Sequence, residues 1–273
     1  MGVMRMLLRN IFLKNLRDRR KALFWWSFGL VLYSLFMCAF YPTIQKSAVE
    51  LEAYMENMPE AIVAAFGGAD NNIASPEGYL NVEYFSMMLP LMFIIYAIGF
   101  GSGAIAGEEE AGTLDLLLAN PIPRWRVLLE KFLAMVGGMA ILSFMTWLGL
   151  AVGIYAYDMD IGLGQLAAAT FSSALLSFSF GVIALAISCL TGKRGMSMGI
   201  TTALVAGTYL LYVLAQVAEP LEKYQKLSPF YWYMTANPLA NGLKLGDMTF
   251  FIGTIGIFLI IALFAFQRRD LAV

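Results

Sequence analysis

Six stretches of this chain are each long and apolar enough to cross a lipid bilayer, and they fix its fold class before any motif is considered. They run from Phe24 to Tyr41, Tyr84 to Ala106, Val127 to Tyr155, Gly162 to Leu190, Met196 to Ala218 and Met248 to Phe266. A hydrocarbon core takes about 20 apolar residues per helix, and backbone amides inside it must bond within their own segment. The expected fold is therefore an all-α membrane protein, a single transmembrane domain over residues 1–273. With 60% hydrophobic and 14% charged residues, the remainder is too small for a separate catalytic domain. The 23 mixed residues before the first apolar run do not resemble a cleaved signal peptide.

Basic residues set the expected orientation. The N-terminus, the second and fourth connections and the C-terminus together carry fourteen Lys and Arg. The opposite connections carry four, and the first of these holds seven acids between Glu50 and Glu83. Both termini are thus expected in the cytoplasm of a multi-pass plasma-membrane protein. The net charge of −1 hides this asymmetry. The basic residues suit a juxtamembrane belt facing the lipid bilayer, and a nucleic-acid partner is not expected.

The segments outside the spans carry their own patterns. Met4, Leu7, Leu8, Ile11, Phe12 and Leu16 recur at helical spacing in residues 1–23, as in an amphipathic helix lying on the cytoplasmic surface. The outer loop 42–83 is long and acidic, with a helix-like part around Val49 to Met58. The outer connection 219–247 is rich in aromatics and divided by Pro220, Pro229 and Pro238. Short interfacial or re-entrant helices are expected there, with Tyr231, Trp232 and Tyr233 at the membrane interface; a simple aromatic anchor is the alternative. Cys38 and Cys189 fall in different apolar segments and read as small buried hydrophobes. Glycine pairs at four-residue spacing, Gly103/Gly107, Gly149/Gly153 and Gly195/Gly199, permit close helix packing.

What the chain lacks narrows its function. It has no histidine, which removes the commonest metal ligand and general base. The middles of the spans carry no Asp, Glu, Lys or Arg, which argues against a self-powered ion-coupled carrier. Asp158 and Asp160 sit in a short turn and read as solvated. Thr191-Gly192-Lys193-Arg194 fails the phosphate-loop pattern, with Ile187 where glycine is needed and Arg194 where Ser or Thr is needed.

The stretch from Gly107 to Phe132, GEEEAGTLDLLLANPIPRWRVLLEKF, is a polar insert between two spans. Gly112 breaks the helix after Glu108, Glu109 and Glu110. Thr113 is expected to cap a short helix with Asp115 in its first turn and Leu114, Leu116, Leu117 and Leu118 on an apolar side. Pro121 and Pro123 end it, and Arg124 and Arg126 begin the return. Three glutamates at a helix C-terminus oppose its dipole, so cationic partners are expected nearby; solvated stop-transfer residues are the other reading.

This string resembles the signature of the ABC type 2 permease family, the membrane subunits of ATP-binding-cassette exporters. The likeness extends to the basic N-terminal helix, the six-span layout and the broken aromatic connection. It implies that residues 107–126 form a cytoplasmic coupling hairpin docking a separately encoded ATPase, with two ATPase copies and a second permease chain, expected as a homodimer. Glu108, Glu109, Glu110, Gly112, Thr113, Leu114, Asp115, Leu116 and Leu117 are then the ATPase-contact candidates. Pro121, Pro123, Arg124 and Arg126 support the hairpin, with the two arginines pairing with the acids or headgroups. On this reading, Asp at positions 114 and 117 removes ATPase association and leaves membrane insertion intact. The chain itself would have no catalytic residue, metal or cofactor, ATP and Mg being held by the partner. An ATP-independent carrier or channel, and a membrane assembly protein, are the competing classes; no residue selects a substrate.

Overall fold

The computed structural model describes residues 11–47, 58, 75–119, 122–243 and 245–269. Within them lie α1 (Ile11–Asp18), α2 (Arg20–Lys46), α3 (Pro76–Leu80), α4 (Met88–Ala104), α5 (Ala106–Glu110), α6 (Leu114–Leu118), α7 (Arg124–Ala156) and α8 (Leu163–Thr191). They continue with α9 (Arg194–Ala215), α10 (Glu219–Glu222), α11 (Pro229–Ala236), α12 (Pro238–Asn241) and α13 (Leu245–Arg268). No strand occurs among the described residues. Met4, Leu7 and Leu8, residues 49–57 of the expected loop helix, and Pro121 lie outside them.

Six helical segments are long and apolar enough to span a membrane, as the sequence implied. Two of them depart furthest from the expected bounds. α2 continues through Pro42 to Lys46, because Tyr41 is buried against Tyr79, 5.6 Å between ring centroids, and Ile44 also meets the core. The second span starts at Pro76, not Tyr84, so the 42–83 loop is shorter at both ends. Its start is set by a cap: the Ser75 hydroxyl accepts the Gly78 amide at 3.0 Å, and Pro76 occupies the first turn, where its missing N–H costs nothing. A π-turn over Asn81–Phe85 and a break at Met87 follow. The break sits where Pro90 would clash with the Ser86 carbonyl one turn back.

α8 is the centre of the bundle, buried along most of its length and packed on α4, α7, α9 and α13. Its tightest crossing is with α4, where a Cβ on Gly101 would collide with the Gly181 carbonyl oxygen. Ser177 donates to the Pro90 carbonyl at 3.2 Å across the same interface, adding a side-chain hydrogen bond between the two helices. α2 lies on α7, with Gly149 and Gly153 fitting against Val31, Ser34 and Cys38. Gly195 and Gly199 meet nothing within 4 Å, so that pair has no packing role inside the protomer. Both cysteines are buried and free.

The connection before α13 is a run of short helices. Ser228 caps α11, accepting the Phe230 amide at 3.2 Å while donating to the Thr208 carbonyl of α9 at 2.7 Å. Tyr233, expected among the interfacial aromatics, is instead buried. Its hydroxyl donates to the Phe85 carbonyl at 2.7 Å and bonds the Ser173 hydroxyl at 2.6 Å. The break in the second span leaves that carbonyl open, and the tyrosine fills it.

Candidate functional site

The polar insert folds as a hinged hairpin at the end of the bundle that carries the basic residues. α4 stops at Ala104, Ile105 turns to φ −112° and ψ −60°, and α5 begins at Ala106. Two side chains occupy the opened backbone ladder. Ser188 of α8 donates to the Ser102 carbonyl at 3.1 Å and accepts the Ala106 amide at 2.9 Å. Those two groups would bond each other in a continuous helix, so the hydroxyl stands in for one rung. Lys131 of α7 donates to the Ala104 carbonyl at 2.6 Å and pairs with Glu108 at 2.7 Å. Its side chain is wholly buried, so the ammonium depends on these two acceptors.

The other two glutamates are also occupied within the protomer. Glu109 pairs with Arg269 just past α13, and Arg269 also donates to the Cys189 carbonyl at 3.4 Å. Glu110 accepts the Arg194 backbone amide at 2.8 Å, at the first turn of α9 where a carboxylate is favoured by the open amides. The three consecutive acids thus tie α5 to α7, α13 and α9. Lys131 and Arg269 are two of the expected cationic partners.

Arg124 and Arg126 do not pair with these acids. Arg124 donates to the Arg269 carbonyl at 2.7 Å and to the Phe266 carbonyl at 3.4 Å, closing the end of α13. Arg126 pairs with Glu130 one turn on at 2.9 Å, and Glu130 also accepts the Phe12 amide of α1 at 3.2 Å. α1 itself rests Phe12 and Leu16 beside Gly137 of α7. Pro123 stands immediately before α7 in an extended conformation.

Thr113 differs from its expected role. Its amide donates to the Glu108 carbonyl at 2.9 Å, and the Gly112 amide donates to the Glu109 carbonyl at 2.9 Å. With Gly112 at φ +65°, this closes the C-terminus of α5 by the paired bonds of a Schellman turn. The Thr113 hydroxyl donates to the same Glu108 carbonyl at 3.1 Å, so it does not cap α6. On α6, Leu114 and Leu117 are 1% and 6% exposed and sit in the core, whereas Asp115 is exposed and Leu116 is 73% exposed. The leucine pair read as part of a docking surface anchors the hairpin instead, so Asp at 114 or 117 strikes the fold itself.

Several residues of the site escaped the sequence reading. Arg19, between α1 and α2, lays its guanidinium 3.9 Å from the Phe100 ring centroid. Burial, and the nearby Arg194 charge, lower its pKa against the pull of Tyr96 and Glu108. Gly103 and Gly107 leave room for this arrangement, their Cβ positions facing Arg19 and Arg194 at about 3.5 Å. Gly192, at φ +64°, lies where a Cβ would collide with the Arg269 guanidinium. The sequence carried one usable signal, since Lys131 sits seven residues inside α7 and two turns beyond Arg124.

A bundle of six helices long and apolar enough to span a bilayer, centred on one buried helix and carrying an ion-paired hairpin at its basic end, is the architecture of a multi-pass membrane protein. The chain belongs to the ABC-2 family transporter proteins, whose family model matches residues 9–271. Among curated relatives, a probable ABC transporter permease protein NosY of Pseudomonas aeruginosa is 33% identical over 162 residues, 56% of each chain. A probable multidrug ABC transporter permease YbhR of Escherichia coli is 32% identical over 118 residues, 42% of this chain and 31% of the relative. The uncharacterized protein YhcI of Bacillus subtilis is 24% identical over 258 residues, 84% of this chain and 81% of the relative. The chain matches about half the length of the NosY relatives.

Proposed function

We propose that the chain is the membrane subunit of an ABC exporter in the plasma membrane, with its basic end and both termini in the cytoplasm. A second copy completes the translocation route, and two copies of a separately encoded ATPase dock on the hairpins. ATP and Mg act in those ATPases; this chain transmits the movement and performs no catalysis. The observation that carries the proposal is the hairpin's two-sided build. Leu114 and Leu117 are anchored in the core, and Asp115 and Leu116 face outward. Behind them the glutamates grip α7, α9 and α13 at once. A push on the exposed face therefore reaches three helices through bonds instead of dissipating in a flexible loop.

Co-expression with candidate ABC ATPase subunits from the same genome tests the proposal. Leu116→Asp is expected to abolish co-purification of the ATPase while leaving the amount and thermal stability of the chain unchanged. Leu114→Asp is expected to lower the amount of folded chain. Full ATPase recovery with Leu116→Asp would overturn the docking assignment.

A further inference from the structure

An open groove of about 250 Å³ lies on the flank of the bundle, lined by Trp25, Trp26, Gly29, Leu30 and Met92. Leu30 forms its buried floor, Trp26 is held edge-on by Tyr96 at 6.1 Å, and Trp25 is 66% exposed. Gly29 lies on the same row of α2 as Trp25, one turn further on, and its Cβ position meets nothing within 4 Å. That row begins at Lys21, one turn before Trp25 towards the basic end. Arg20 starts the neighbouring row, which continues through the exposed Phe24 and Phe28. Among the described residues neither Arg20 nor Lys21 forms an ion pair, and both are exposed.

We propose that this groove holds one acyl chain of an anionic phospholipid, with the headgroup phosphate on Arg20 and Lys21. The apolar lining suits a hydrocarbon tail, and an open groove of about 250 Å³ seats the part of the tail nearest the headgroup. Helical side chains lean towards the helix N-terminus, so Arg20 and Lys21 reach from the mouth of the groove towards the headgroup layer. Two tryptophans beside two cations outside any ion pair supply charge complementarity for an anionic headgroup and a bed for its tail. The site stands independently of the ATPase-docking proposal.

Native mass spectrometry of the full chain in detergent, with added phosphatidylglycerol or phosphatidylcholine of matched acyl chains, tests it. Phosphatidylglycerol is expected to be retained with a preference of roughly 30-fold, the value two basic residues at an anionic headgroup supply. The Arg20→Gln/Lys21→Gln variant is expected to bind the two lipids alike. The Cβ of Gly29→Phe enters open space and its ring would occupy the groove, so this variant is expected to lower retention of both lipids with the thermal midpoint unchanged. Equal retention of both lipids by the unaltered chain would overturn the proposal. Undiminished binding by Gly29→Phe would also overturn it and reduce the effect to diffuse charge. Loss of chain–chain association in lipid-free Gly29→Phe would overturn it in favour of a second copy as the occupant.

Discussion

Breaking the Lys131–Glu108 pair from its two sides should have unequal effects, and the inequality follows from burial. The Lys131 side chain is wholly buried, while that of Glu108 is 26% exposed. Glu108→Ala strands an ammonium among apolar side chains with only the Ala104 carbonyl left, a situation that costs about 3–5 kcal/mol. Lys131→Met leaves a carboxylate that can turn to water, and its main loss is the donor to the Ala104 carbonyl, about 1–3 kcal/mol. The double variant should cost about as much as Lys131→Met alone, because the stranded charge is gone. For a chain of this size about 1 kcal/mol moves the thermal midpoint by roughly 2–4 °C. Glu108→Ala should therefore melt roughly 4–8 °C below Lys131→Met, read as loss of the monodisperse peak after heating the detergent-solubilised protein. Equal midpoints, or a lower one for Lys131→Met, would refute the claim that the hinge is held by a buried cation.

Three further expectations follow from the packing and the polar plugs. Gly101→Ala would drive a methyl into the Gly181 carbonyl, a backbone group that cannot swing aside, and should abolish folded yield; Gly199→Ala, with open space around it, should leave yield unchanged. Tyr233→Phe removes the hydroxyl shared by the Phe85 carbonyl and Ser173, and should cost about 0.6–1.7 kcal/mol, seen as a small drop in thermal midpoint. Ser188→Ala lets the Ala106 amide bond the Ser102 carbonyl directly, so stability should hold while nucleotide-dependent movement at the far end of the bundle falls.

The apolar runs disclosed the six spans because burial in lipid imposes its pattern residue by residue. Their ends were less legible. The start at Pro76 was encoded by Ser75-Pro76-Glu77, a capping sequence, but the apolar average masks it because Glu83 interrupts the run. The hairpin was legible as a unit from Gly112 and its flanking acids. Which way its leucines face was not, since Leu114, Leu116 and Leu117 differ only in what lies behind them. The partners of the glutamates come from residues 131, 194 and 269, far apart in the chain, and only the crossing of α7, α9 and α13 brings them together. Lys131 counted correctly towards the basic side, yet its burial depends on the Ala104 carbonyl that the hinge exposes. Tyr233 shows the same limit: an aromatic in a broken connection reads as an interface anchor until the open carbonyl at Phe85 is located.

The central claim is that an outside ATPase drives this bundle through the hinge at Ile105. Both native cysteines are buried, so a spin label can be placed selectively at Leu227→Cys, an exposed position in the connection remote from the hairpin. Pulsed electron paramagnetic resonance on the chain reconstituted with the ATPase that co-purifies with it would give the label-to-label distance between copies. The distance distribution is expected to shift between ADP and a trapped ATP state, to stay fixed without the ATPase, and to stay fixed with Leu116→Asp. An unchanged distribution in the complete complex, or the same shift in the lone chain, would contradict the account.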